Sequence, residues 1–252
     1  MTHSINNISG KDLVQAYQNV SEDMIYPHPA SLLPIQDKKL LVAIAKLLKP
    51  NSILLDIGTF LGGSATILAH ANANIKIISM DSYEYGGWSW DDIALTEYVC
   101  GKSKIRNLEN VTSSNFNNFK NILFLEGKSP YSFKKPEKNP FEVDVYIEDS
   151  THNEPNFSDN LSYWNPKIKK NGLLVLHDYR PYLDNEKAME VQKRCGSYLL
   201  FDNIINIGNN LKQNENWEYL MDTTCELGHN SVQGQQHDLL GCPSYIVFKK
   251  LN

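Results

Sequence analysis

Two short stretches of this chain concentrate residue types that move protons or hold cations. In Asp149-Ser150-Thr151-His152 a carboxylate stands three residues before an imidazole, and in His177-Asp178-Tyr179 an imidazole and a carboxylate are adjacent. Histidine titrates near neutral pH, so such a side chain can take the proton that an alcohol keeps in bulk water. Asp149 and Asp178 supply hard oxygen ligands of the kind Mg²⁺ selects. His177 can join them as a softer third ligand. Plainer roles stay open beside these: Asp149 as a helix cap, His152 as a hydrogen-bonded rim residue, His177 as a group that orients Asp178 or packs the sheet end.

A third stretch, Asp56-Ile57-Gly58-Thr59-Phe60-Leu61-Gly62-Gly63-Ser64, has the make-up of a ligand loop. Its glycines permit a tight turn and close backbone approach to a ligand. Ser64 is placed to cap the helix that follows, whose free N–H groups suit a carboxylate or phosphate. Asp81 comes 25 residues after Asp56 and is followed by Ser82. A carboxylate at that distance can accept both hydroxyls of a ribose. A nicotinamide enzyme would show GxGxxG here; this chain has DxGxxxGG, with Asp56 before the first glycine.

The elements that must position these residues follow from the apolar pattern. Residues 11–19 and 36–48 read as helices, the second from Leu40, Leu41, Ile44, Leu47 and Leu48 at helical spacing. Pro50 ends it. Short apolar runs at 52–58 and 75–81 read as strands buried on both faces. Strand-like runs follow at 121–126, 143–148 and 173–177, with 199–207 and 244–250 as closing strands. Helices are expected at 64–71, 157–164 and 186–195. Strands alternating with helices imply right-handed crossovers and a mostly parallel sheet with helices on both faces, an α/β Rossmann-like fold. Ligands then bind at the carboxyl ends of the strands, which carry Asp56, Asp81, Glu126, Asp149 and His177-Asp178. The organisation expected is an N-terminal helical segment over 1–50, a cap and candidate homodimer surface, followed by the ligand-binding domain over 51–252. Insertions are expected at 82–120 and 206–241. In the first, Tyr83, Tyr85, Trp88 and Trp90 can form an aromatic lid or a satellite cluster under a loop. Pro27-His28-Pro29 and the 206–241 flap are further covers.

The spacing DxGxxxGG with Asp81 resembles motif I and the acidic strand end of the class I S-adenosylmethionine-dependent methyltransferases. Further along, Asp149-Ser150-x-His152, then Tyr163-Trp164, Gly172 and His177-Asp178-Tyr179 resemble the branch of sugar and natural-product O-methyltransferases with a DSxH motif. That branch includes methyltransferase family 24 and cephalosporin hydroxylase-like proteins. The likeness covers roughly residues 52–180. It implies a seven-stranded sheet and S-adenosylmethionine as cofactor. The methionine half would be held by the loop of Asp56, Gly58, Thr59, Phe60, Gly62 and Ser64, with Asp149 near it. The ribose would lie at Asp81 and Ser82, and the adenine by Glu126, Gly127, Lys128 and Ser129. It also implies a divalent cation such as Mg²⁺ on Asp149 and Asp178, with His152 as general base. Relatives carry Glu-Asp where this chain has His177-Asp178, which makes His177 a candidate third ligand and leaves metal dependence open.

Charge and composition narrow the partners. Lys and Arg number 24 against 29 Asp and Glu, a net charge of −5. A phosphate-backbone partner would call for a basic excess, so no nucleic acid is expected. The start of the chain has no signal-type apolar run, and the run LLVAIA at 40–45 is too short for a bilayer. Cys100, Cys195, Cys225 and Cys242 form no CxxC pair, which removes zinc-knuckle and thioredoxin readings. A cytoplasmic enzyme methylating a small-molecule hydroxyl, of a sugar or secondary metabolite, is the expectation. An NAD-dependent oxidoreductase and a non-catalytic nucleoside-binding module are the alternatives, and N-methylation stays open.

Overall fold

The computed structural model describes residues 7–27, 31, 33–82, 108–133, 141–150, 155–179, 181, 201–223 and 244–252. Two helices come first, α1 (Gly10–Gln18) and α2 (Ile35–Leu47). Ser9 and Asp12 close a capping box on α1, each side chain accepting from the other's backbone N–H. Then strands and helices alternate: β1 (Ile53–Ile57), α3 (Gly63–Ala71), β2 (Lys76–Asp81), α4 (Leu108–Phe116), β3 (Ile122–Glu126), β4 (Val143–Glu148), α5 (Asn156–Trp164) and β5 (Ile168–Leu176). A last helix, α6 (Phe201–Lys212), leads to β6 (Trp217–Asp222) and β7 (Ile246–Lys250).

The seven strands form one sheet in the order β3-β2-β1-β4-β5-β7-β6. The first five are parallel to one another, and β7 joins β5 and β6 antiparallel. The chain builds outward from β1 to β2 and β3, then returns to start β4 on the other flank of β1. The crevice at that switch opens between the carboxyl ends of β1 and β4. Register there is fixed: Ile57 pairs with Glu148, and the Asp149 N–H donates to the Ile57 carbonyl at 2.9 Å.

Strand residues alternate between two cores, as a period of two requires. Leu54, Ile77, Val145, Ile147, Leu173, Val175 and Val247 face α1, α2 and α3. Leu55, Ile57, Tyr146, Leu174, Leu176 and Phe248 face α5 and α6, with Phe157, Trp164 and Ile204 against them. The N-terminal helices therefore belong to the same core as the sheet: every residue of α2 from Leu40 to Ala45 is buried.

One expected strand is corrected. Residues 201–212 are helix α6, because Ile204, Ile207 and Leu211 recur at helical spacing and turn one face to the second core. Residues 206–222, expected within a flap, hold the end of α6 and the edge strand β6. The lid aromatics at 83–90, the expected helix at 186–195, residues 28–30 and 224–243, and all four cysteines lie outside the described residues. Among the described residues no helix is long and apolar enough to cross a membrane.

Candidate functional site

The loop after β1 is shaped by its glycines and by one buried acid. Gly58 sits at φ +91, and a Cβ there would lie 2.0 Å from the carbonyl oxygen of Asp149. No side chain fits between the two strand ends. Gly62, at φ +88, is packed against the Phe116 ring and forms the N-cap of α3 without a side-chain bond. Ser64 is thus not the cap: it lies in the first turn and donates its proton to Asp56 Oδ2 at 2.8 Å. The hydroxyls of Thr59 (3.1 Å) and Ser79 (3.3 Å) reach the same oxygen. Burial pushes the Asp56 carboxyl up to about 6, against the pull of these hydroxyls and helped by the charge of Asp149. Asp56, Thr59 and Ser64 are buried, and their bonds to one another shape the loop.

A cleft opens beyond the ends of β1, β2, β3 and β4. Of the residues expected to hold a nucleoside cofactor, Gly58, Asp81, Ser82, Gly127 and Ser129 line it. Thr59, Phe60, Gly62, Ser64, Asp56 and Asp149 are not in its wall. Asp81 ends β2 and accepts from the Phe60 N–H at 2.8 Å, which ties the glycine loop to the second strand. Gly127 donates to the Asp81 carbonyl at 2.8 Å, and Trp164 Nε1 donates to Ser129 Oγ at 2.9 Å. Ser150, Asn156 and Asn160 close the far wall.

Beside the cleft, Asp149, His177 and Asp178 each offer a ligand atom within 4.8 Å of the others. His177 Nδ1 is 2.6 Å from Asp149 Oδ1 and 3.6 Å from Asp178 Oδ1, and its Nε2 is 3.8 Å from Asp37 Oδ2. Asp178 is held at φ +60, a left-handed geometry that aspartate tolerates better than most residues. Burial works against an imidazolium at His177, but Asp149, Asp178 and Asp37 outweigh it and raise the ring to about 9. Neither ring nitrogen makes an aligned hydrogen bond, and Asp56 Oδ1 and the Tyr245 hydroxyl are likewise buried without one. A divalent cation on Asp149, Asp178 and His177 would have to displace the proton that the carboxylates hold on the ring; with that proton gone, two carboxylates and one neutral imidazole are a donor set that fits such an ion. His152, the expected base, lies outside the described residues.

Four residues were not legible as site residues. Asp37 is fully buried, and its carboxylate accepts from Thr223 Oγ1 at 2.6 Å and from the Ser244 N–H at 3.1 and 3.2 Å. Its signal was an acid on the apolar face of α2, three and four residues before Leu40 and Leu41. Glu148 ends β4 fully buried and accepts from the hydroxyls of Tyr146 and Ser150. Burial is the main cause that raises its carboxyl to about 7. Tyr245 stacks its ring 4.6 Å from His177. Burial and the charges of Asp149, Asp37, Asp56 and Asp178 hold its hydroxyl well above the usual tyrosine range. Asn160, on α5, is the fourth.

The sequence matches no protein-family profile and no curated protein. Several solved structures share the architecture. An O-methyltransferase from Bacillus cereus in complex with S-adenosylhomocysteine aligns over 96% of this chain and 90% of its own, with a TM-score of 0.55 and 12% identity. The O-methyltransferase TomG from Streptomyces achromogenes, involved in tomaymycin synthesis and bound to S-adenosylmethionine, aligns over 96% and 89%, at 0.52 and 13%. The methyltransferase PaMTH1 of Podospora anserina, bound to S-adenosylhomocysteine, aligns over 96% and 88%, at 0.52 and 10%. The fold is the class I methyltransferase fold, a mostly parallel seven-stranded sheet with helices on both faces.

Proposed function

We propose that this protein is an S-adenosylmethionine-dependent methyltransferase whose acceptor is a hydroxyl of a small molecule, a sugar or secondary metabolite. The observation that carries the reading is Asp81: a carboxylate at the end of β2, in the cleft wall, tied to the glycine loop through the Phe60 N–H. That is where a ribose diol is accepted in sheets of this topology. The structural neighbours crystallised with S-adenosylmethionine or S-adenosylhomocysteine share the fold, which supports the choice of nucleoside.

In the reaction proposed, the acceptor oxygen attacks the methyl carbon in line with the sulfonium sulfur. The new C–O bond forms as the C–S bond breaks, and the sulfur leaves as a neutral thioether. The hydroxyl proton passes to His152. Gly58 and its loop fix the methionine half, and Asp81 with Ser82 fixes the ribose. A divalent cation held by Asp149, Asp178 and His177 would polarise the acceptor hydroxyl and lower its pKa. Asp37 and Tyr245 hold the imidazole of His177 from behind.

Calorimetric titration of S-adenosylmethionine, with NADH as control, in Mg²⁺ and in EDTA, tests the reading. Saturable binding of S-adenosylmethionine alone, lost in Asp81→Ala, is expected. Binding of NADH in its place would favour the oxidoreductase, and binding of neither to the cofactor-free protein would overturn the proposal.

A further inference from the structure

One face of α4 is given over to the loop after β1. Thr112, Asn115 and Phe116 stand at i, i+3 and i+4 and so lie side by side on the helix. They meet three consecutive loop residues. Thr112 Oγ1 donates to the Phe60 carbonyl at 2.7 Å, Asn115 Nδ2 donates to the Leu61 carbonyl at 2.8 Å, and the Phe116 ring packs on Gly62. Thr112 is fully buried.

The loop at this point is a turn in an unfavoured form. The Gly62 N–H donates to the Thr59 carbonyl at 2.7 Å, which leaves Phe60 and Leu61 as the central residues. Phe60 stands at φ +47. Positive φ at the first central residue belongs to the primed turns, which glycine, asparagine and aspartate supply and a bulky side chain rarely does. Such a residue persists where its surroundings over-determine it. Here the N–H of Phe60 donates to Asp81 Oδ2 at 2.8 Å, and its carbonyl is held by Thr112. Inversion to the ordinary turn would carry both central carbonyls off α4 and swing the Phe60 N–H away from Asp81.

We propose that Thr112 is a positioning residue for the cleft: its hydroxyl keeps the turn at Phe60 left-handed and, through the Phe60 N–H, orients the Asp81 carboxylate toward a ribose. This rests on the nucleoside reading of the cleft made above. The test measures the dissociation constant of S-adenosylhomocysteine, and hydrogen exchange of the Phe60 amide without ligand, in the wild type, Thr112→Val and Thr112→Ser. The valine keeps the shape and loses the hydroxyl. It is expected to bind about tenfold more weakly, the equivalent of one hydrogen bond, and to exchange faster at Phe60 while the amides of β3 stay protected. Thr112→Ser keeps the hydroxyl and should restore both readings. In a Phe60→Gly background the left-handed turn needs no support, so Thr112→Val should there cost clearly less than tenfold.

Unchanged affinity in Thr112→Val, or exchange at Phe60 at the wild-type rate, overturns the inference and leaves the nucleoside site standing. An equal loss in the Phe60→Gly background also overturns it, since Thr112 would then support the fold without acting through the turn. Should the valine not fold, Thr112→Ala is read in the same way, and if neither folds the inference falls. Failure of the wild type to bind S-adenosylhomocysteine would instead bring down the nucleoside reading, and this inference with it.

Discussion

His177 Nδ1 lies 2.6 Å from Asp149 Oδ1, yet the imidazole makes no aligned hydrogen bond through either nitrogen. The charge of Asp149 and its contact with Nδ1 both favour a proton on the ring. Asp178 and Asp37 press on the same ring from 3.6 and 3.8 Å. Three carboxylates around one imidazolium leave a net negative charge in a poorly hydrated place, and a divalent cation that takes the place of the ring proton would bring one more positive charge there.

Asp178→Ala is expected to weaken Mn²⁺ or Mg²⁺ binding by at least the 10–100-fold typical of losing a group that merely supports a metal ligand. Affinity for S-adenosylhomocysteine should persist, since Asp178 is absent from the cleft wall. Titration of each metal into the wild type and the variant decides it. Equal metal affinity in the two proteins would remove the cation from the account.

Asp56 gives a pH prediction with a definite sign. Its carboxyl is raised from 3.8 to about 6 on folding, so between those values the folded chain binds more protons than the unfolded one. Stability from this group is therefore present at low pH and falls as pH rises through about 6. Asp56→Asn stays neutral and can still accept the hydroxyls of Thr59, Ser64 and Ser79. The stability of the variant relative to the wild type should rise between pH 4 and pH 6, by up to about 3 kcal/mol, and level off above. Urea denaturation across that range measures it; a pH-independent difference would contradict it.

The fold was legible because its signals are local. The buried strands at β1, β2, β4 and β5 are continuous apolar runs, and α2 and α5 carry helical periodicity. β6 was hidden because Trp217, Tyr219 and Met221 share an edge strand with Glu218 and Asp222, and α6 was mistaken because Leu199-Leu200-Phe201 reads as a strand start. The cleft residues Gly58, Asp81 and Gly127 could be read because strand-end positions follow from topology. Asp37 and Tyr245 could not: they come from α2 and from the residue just before β7, and only the folded sheet brings them to His177.

Gly58→Ala should be among the most damaging single changes in the chain. The left-handed conformation alone costs a non-glycine residue about 1–2 kcal/mol, and the added methyl would meet the Asp149 backbone, which is held in the β1–β4 register. Gly62→Ala meets the Phe116 side chain, which can turn. Thermal denaturation should show a larger drop for Gly58→Ala, and the variant should also lose S-adenosylhomocysteine binding. Equal stability of the two variants would mean that the β1–β4 crevice yields more readily than its geometry implies.

Asp37 ties the N-terminal helices to the site, and its removal tests whether they are part of the working structure. Asp37→Ala leaves the Ser244 N–H without its acceptor and takes from the Thr223 hydroxyl its short bond, both in a fully buried setting. It also relieves repulsion among the acids around His177. Unsatisfied buried donors cost about 1–3 kcal/mol each, so the loss of bonds should win, with a net cost of about 3 kcal/mol. Asp37→Asn keeps an acceptor oxygen and sheds the charge, so it should cost less than the alanine. Hydrogen exchange should then show faster opening of α2 and of the strand start at Ser244 and Tyr245 in the alanine variant, with β2 and β3 unaffected. If the two variants are equally stable and exchange alike, the bonds at Asp37 do not join the two ends of the chain.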